Sequence, residues 1–195
     1  MLTKSTGAAM KPIYWEGDVD GHLVLLDQTR LPAEMVELHC RSVDDVWQAI
    51  RQLSVRGAPA IGIAAAYGVC LNPGRDRQGA IAACGHLATS RPTAVNLFCA
   101  LQRMRALSND TPDARLSAAL LAEARAIHDE DRRQCTAIGE HGLELLRELP
   151  AEGGILTHCN TGALATGGDV TALAVIFALA AAGRAMQVCA GETRP

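Results

Sequence analysis

The sequence predicts an α/β protein in two unequal parts. A small β element runs into a helical domain, and the opening of a parallel sheet, left incomplete, follows it. Three observations predict this. Apolar residues make up 49% of the 195 positions and aromatics only 3%. The core must then come from Ala, Leu, Val and Ile, which favours closely packed helices over a β-sandwich. From Ser42 to Leu149 apolar side chains recur mostly at spacings of three and four, the helical period. The last forty residues read strand, helix, strand, the crossover that parallel pairing requires.

The first elements are β-like. Ile13-Tyr14-Trp15 and Leu23-Val24-Leu25-Leu26 flank a turn-rich Gly17-Asp18-Val19-Asp20-Gly21, which predicts a hairpin. A third strand is expected at Met35-Val36-Glu37-Leu38. Ser42 then caps a helix with Asp44 and Asp45 in its first turn and Val46, Ala49, Ile50 and Leu53 on its buried face. Val55-Arg56-Gly57-Ala58-Pro59-Ala60-Ile61-Gly62 breaks that helix and opens another that runs to about Leu71, with Pro59 in its first turn.

Asn72-Pro73-Gly74 is a turn. Helices follow from Gln78 to about Ala88 and, after Ser90-Arg91-Pro92-Thr93, from Ala94 to about Leu107. Thr111 caps a long helical pattern that starts at Pro112 and reaches about Leu149. One stripe on it is Leu116, Leu120, Ala124 and Ile127; a second is Ile138, Gly142, Leu145 and Leu149. Asp129-Glu130-Asp131-Arg132-Arg133 reads as a solvated face. Pro150-Ala151-Glu152-Gly153-Gly154 marks a boundary between domains at 1–150 and 151–195. Beyond it come a buried strand at Ile155-Leu156-Thr157, a helix from about Val170 to Ala182 and a strand at 185–190. Two parallel strands cannot cover both faces of a sheet or protect its edges, so the second domain reads as cut off.

Composition excludes several classes. A formal net charge of −3 with no run of one sign is no nucleic-acid footprint. The longest apolar run, Val170 to Gly183, is too short to span a bilayer. Seven widely spaced cysteines with no C-x-x-C pair fit a reduced, cytoplasmic chain. His128, Glu130 and His141 match no zinc spacing, so no metal site is expected. Gly162, Gly167 and Gly168 fit neither G-x-G-x-x-G nor a P-loop, so no cofactor is expected.

Candidate chemistry gathers at three places. Cys159 ends the first strand of the parallel unit, before the turn Asn160-Thr161-Gly162, where open α/β sheets put their ligands. It reads either as a partly ionised, reactive thiol or as a small buried hydrophobe. Arg56 precedes a helix start at which Gly57 and Ala58 let backbone amides approach a ligand. It reads either as part of an anion site or as a surface arginine ahead of a tight helix contact. Arg91 before Pro92 repeats the arrangement, and two guanidinium groups suit one phosphate.

Beyond spacing, the runs Val55–Gly62, Arg91-Pro92-Thr93-Ala94-Val95-Asn96-Leu97, Leu156–Thr166 and Glu192-Thr193-Arg194-Pro195 occur in this order. Leu26–Pro32 and Ile138–Gly142 join them. Together they closely resemble the S-methyl-5-thioribose-1-phosphate isomerases of methionine salvage. That family shares a superfamily with the regulatory subunits of translation initiation factor 2B and with ribose-1,5-bisphosphate isomerase. The resemblance covers the chain from about Ile13 but only somewhat more than half of a usual member.

It implies a Rossmann-like C-terminal domain, a phosphorylated sugar between the two domains, a homodimer, and aldose-to-ketose isomerisation without a cofactor. Arg56, Gly57 and Ala58 would bind substrate, Arg91 would grip phosphate and Cys159 would be catalytic. The aspartate general acid/base that partners this cysteine falls beyond position 195, so the chain alone is expected to turn over little. A non-catalytic sugar-phosphate or nucleotide-binding protein like the initiation factor subunits, and a ribose-1,5-bisphosphate isomerase, are the alternatives. Two departures stand out: Gly168-Asp169-Val170 where Gly-Tyr-Gly is usual, and Gly191 where Asp is. Asp169 would either cap the following helix or weaken anion binding.

Overall fold

A computed structural model describes residues 11–148, 153–158, 162–184 and 186–191. Its organising element is a helix buried on every side. Helix α2 (Ala58–Cys70) carries Ala60, Ile61, Ile63, Ala64, Ala65, Ala66 and Val69 at 3% exposure or less. A helix that is apolar all round belongs inside a protein, and its alanines let neighbours approach closely. Around it pack α1 (Val43–Arg51), α3 (Arg77–Ala88), α4 (Val95–Asp110) and the 33-residue α5 (Asp113–Leu145).

The N-terminal sheet is antiparallel in the order β1 (Ile13–Glu16), β2 (His22–Leu26), β3 (Glu37–Cys40). Every residue of the central β2 is buried. The third strand sits two residues later than expected: Met35 is 70% exposed, and pairing begins at Leu26 with Glu37. Ser42 caps α1 in a full capping box with Asp45. Leu53, expected on the buried face of that helix, lies past its end with φ of 66° and is exposed. Helix α5 starts after Pro112 rather than from a Thr111 cap.

The C-terminal unit is β4 (Gly154–Thr157), a 3-10 turn at Ala163–Ala165, α6 (Ala172–Ala181) and β5 (Gln187–Ala190). The strands pair in parallel, Gly154 with Gln187 through Thr157 with Ala190. The first of them is less buried than its composition implies. Thr157 is covered, but Leu156 on the opposite face is 79% exposed, because no described element covers that side.

Helix α5 serves both parts. Its first half contributes Leu116, Leu120, Leu121 and Ala124 to the core, as the first apolar stripe requires. The second stripe holds only at Gly142, which comes up against Val175 of α6 as its neighbour Gly139 does against Ala174; Ile138 and Leu145 are exposed. Close approach, not hydropathy, selects this face. A Cβ on Gly142 would run into Val175, so the two helices meet at a distance that only glycine permits. Leu149, the Pro150–Glu152 part of the expected boundary and Ala185 lie outside the described residues.

Candidate functional site

Two helix N-termini open on one cleft of about 720 Å³. Gly57 and Ala94, the residues that precede α2 and α4, have no side chain able to accept from the first-turn amides. The positive ends of both helices therefore face the cleft without an internal anion. Arg56, Gly57, Ala58 and Arg91 all line the cleft. Both arginines are half-buried, and among the described residues neither has a carboxylate partner. Each of the other clefts described is lined by at least one Asp or Glu, and this one by none. Two arginines, two helix N-termini and no lining carboxylate make the cleft chemically suited to an anion.

The C-terminal unit closes the cleft with Ala165 and Thr171. Its position is fixed at three points. Gly57 lies at φ 96°, ψ 139°, a backbone region largely reserved for glycine. A Cβ there would stand 2.5 Å from Ala165 Cα and 2.6 Å from its carbonyl oxygen. Gln28, buried after β2, donates from Nε2 to the Leu164 carbonyl at 2.7 Å.

The third point is a polar relay. His128 Nε2 lies 2.7 Å from the Gly167 carbonyl, which can only accept, so that nitrogen carries the hydrogen. His128 Nδ1 then accepts from the Tyr67 hydroxyl at 3.2 Å. Burial pushes that hydroxyl's pKa up to about 12, so it stays a donor. Trp15 stacks on the Tyr67 ring with centroids 5.6 Å apart. Asp131 accepts from the Gly167 N–H at 2.7 Å; burial raises its pKa, with Asp169 adding to the rise, against this hydrogen bond and His128.

The charged run 129–133 is thus not simply a solvated face. Glu130 pairs with Arg103 at 2.5 Å, Asp131 holds Gly167, and Arg132 meets Asp169 at 3.1 Å. Asp169 neither caps α6, which begins after Thr171, nor lines the cleft. At the other departure, a side chain on Gly191 would overlap the imidazole of His158 as placed. Sequence reasoning missed Tyr67, His128, Asp131 and Gln28. Their partners stand between 36 and 136 positions away and leave no local pattern.

Cys159, Asn160, Thr161 and the run Glu192–Pro195 lie outside the described residues, so the catalytic cysteine expected from the sequence has no geometry here. The strand that leads to it is described, and Thr157 at its end has a buried Oγ1 with no hydrogen-bond partner among the described residues.

The fold and the cleft define an α/β protein with a carboxylate-free cleft, lined by two arginines, between a helical layer and a parallel strand–turn–helix unit. The model of the initiation factor 2 subunit family matches residues 54–195, and the chain belongs to that family. A 5-deoxyribose 1-phosphate isomerase of Moorella thermoacetica is 49% identical to it, over 94% of this chain and 54% of its own length. A methylthioribose-1-phosphate isomerase of Rhodopirellula baltica is 48% identical, over 89% of this chain and 51% of its own.

Two solved structures share the fold. A 5-methylthioribose 1-phosphate isomerase from Pyrococcus horikoshii superposes with a TM-score of 0.79 at 33% identity, covering 91% of this chain and 51% of that one. The delta subunit of translation initiation factor 2B from A. fulgidus gives 0.75 at 36%, covering 95% and 55%. The chain spans about half the length of the curated relatives it matches. No described helix is long and apolar enough to cross a membrane.

Proposed function

We propose that this chain supplies the phosphate end of a sugar-phosphate isomerase site, which converts S-methyl-5-thioribose 1-phosphate to the corresponding ribulose 1-phosphate. The observation that carries the reading is the carboxylate-free cleft in which Arg56, Arg91 and two helix N-termini converge. A phosphate monoester is a dianion whose oxygens accept several hydrogen bonds at once, and this arrangement supplies donors of both kinds. Relatives named for 5-deoxyribose 1-phosphate and methylthioribose 1-phosphate differ at the sugar's C5 and share the 1-phosphate. The demand these named substrates share is then the phosphate on the anomeric carbon.

That phosphate also sets the chemical problem. With O1 esterified, the ring cannot open as a free sugar does. The ring oxygen must be protonated as its bond to C1 breaks, and hydrogen must then pass between C1 and C2. Cys159 is assigned to proton transfer or transition-state stabilisation. The resemblance puts its aspartate partner outside these 195 residues, so this chain alone is assigned binding with little turnover. The active form is proposed to be a homodimer with the sugar between its two domains.

The test has two arms. Calorimetric titration of this chain with inorganic phosphate should show binding that weakens by roughly 10–100-fold in Arg91→Ala and in Arg56→Ala, the loss of a charge-assisted contact. Aldose-to-ketose turnover of the intact gene product should be lost in Cys159→Ala while phosphate still binds. Phosphate binding without turnover in any form would refute the enzyme and favour the regulatory reading, to which the initiation factor likeness points. Equal phosphate affinity in all variants would refute the site.

A further inference from the structure

Away from the cleft, each strand of the N-terminal sheet contributes one metal-ligating side chain to a single point. Glu16 ends β1, His22 begins β2 and lies directly opposite it, and His39 lies on β3. Their donor atoms converge. His22 Nε2 is 2.8 Å from His39 Nδ1 and 3.1 Å from Glu16 Oε2, while His39 Nδ1 and Glu16 Oε2 are 4.0 Å apart. His22 is buried at 7% exposure; Glu16 and His39 border solvent.

All three atoms are natural electron-pair donors, and a single N–H on His22 cannot be directed fully at both neighbours. One cation among them satisfies all three. The three edges define a point about 2.0 Å from every donor, the length of zinc–imidazole and zinc–carboxylate bonds. Seen from that point the donors subtend roughly 90°, 100° and 170°, close to three meridional corners of an octahedron. The exposed side of the cluster leaves the remaining corners to water. Two imidazoles and one carboxylate select a borderline transition ion over the harder magnesium or calcium.

We propose that Glu16, His22 and His39 form a binding site for a divalent transition-metal ion of the zinc class, which cross-links the three strands. The ion is structural here. The cluster is separate from the arginine cleft, with which it shares no lining residue. Its ligands come from positions 16, 22 and 39, a spacing that matches no metal motif, so sequence reading alone predicts none.

The test uses the 195-residue chain, stripped with chelator and kept reduced, titrated calorimetrically with Zn²⁺ and separately with Co²⁺ and Mg²⁺. One Zn²⁺ or Co²⁺ per chain is expected, with no binding of Mg²⁺, and Co²⁺ should develop a visible ligand-field band. Affinity should fall by about tenfold or more in His39→Ala and in Glu16→Gln, as loss of one ligand in three requires. Both positions are exposed, and matching circular dichroism will show that these variants fold. Thermal midpoints should rise with Zn²⁺ in the parent and much less in either variant. Absence of binding would leave a proton-sharing triad only and overturn the proposal. So would Zn²⁺ or Co²⁺ binding of equal affinity in the variants, because the ion would then sit elsewhere, on cysteines for instance.

Discussion

Replacing Gly57 with alanine tests how the two parts of the molecule are joined. Two costs arise independently. The backbone at φ 96°, ψ 139° is strained for any L-residue, which costs about 1–3 kcal/mol. The new methyl also enters space held by the Ala165 backbone, at 2.5 Å from its Cα and 2.6 Å from its oxygen. Overpacking of this kind costs about 1–3 kcal/mol. Together they predict a loss of about 2–6 kcal/mol, a large share of the 5–15 kcal/mol that holds an ordinary domain. In urea unfolding followed by circular dichroism, the midpoint should fall by about 0.7 M or more, given slopes of 1–3 kcal/mol/M. Amide exchange at residues 163–167 should quicken, because that segment must move aside. Adding Ala165→Gly removes one of the clashing groups and should restore part of the loss, leaving the backbone cost in place. A Gly57→Ala midpoint within about 0.2 M of the parent would refute the reasoning.

Further predictions concern the relay and the thiols. His128→Ala leaves the Tyr67 hydroxyl and the Gly167 carbonyl without their partner and should cost about 2–4 kcal/mol by urea unfolding; Tyr67→Phe removes one neutral hydrogen bond and should cost about 1 kcal/mol. Equal effects of the two substitutions would show that the His128 bond to Gly167 carries nothing. Burial pushes the Cys40 thiol up to about 12 and the Cys84 thiol up to about 11. Once unfolded, these thiols ionise near their ordinary value. The unfolded chain therefore binds fewer protons above about pH 9, and stability present below that pH is lost as it rises toward 11–12, by up to about 1.4 kcal/mol per pH unit for each buried thiol. Urea midpoints measured from pH 7.5 to 10.5 should fall along that course, and a flat profile would sink the claim. In the folded chain at pH 8, a thiol reagent should modify the exposed Cys99 and Cys189 well before Cys40, Cys84 and Cys135.

How much of this was legible in the sequence depends on how far apart the interacting residues stand. The Ser42–Asp45 capping box spans four residues and was readable as a helix start. The starts of α2 after Arg56-Gly57 and of α4 after Arg91-Pro92 were readable because glycine and proline punctuate the backbone locally. The strand–helix–strand order gave the parallel pair. The misreadings share a cause: apolar character was taken as a sign of burial. Met35 is apolar but precedes the strand, and Ile138 and Leu145 are apolar but face outward while small residues next to them make the helix contact. The Gly167 clamp and the Glu16–His22–His39 cluster depend on which elements the fold brings together, and no one-dimensional period records that.

The same geometry separates binding from positioning. Residues 164–167 are held from three directions: Gln28 after β2, Gly57 before α2, and His128 with Asp131 on α5. None of these contacts brings a positive side chain into the cleft, and of the four residues that hold the segment only Gly57 lines it. They fix where the strand–turn–helix unit stands relative to Arg56 and Arg91. If that unit carries the catalytic cysteine, as the isomerase reading proposes, loosening it should impair chemistry while phosphate affinity persists. Gln28→Ala is the cleanest probe, because its side-chain amide reaches across to the Leu164 carbonyl and touches no charge. A displacement of about 1 Å can cost up to roughly 100-fold in rate. In the intact gene product, kcat should therefore fall by about tenfold or more. Inorganic phosphate should meanwhile inhibit with a constant within about twofold of the parent, since the charge-assisted contacts that bind it are untouched. A parallel loss of phosphate affinity would place Gln28 in the anion site itself. Unchanged kcat would mean that the bond to Leu164 serves stability alone.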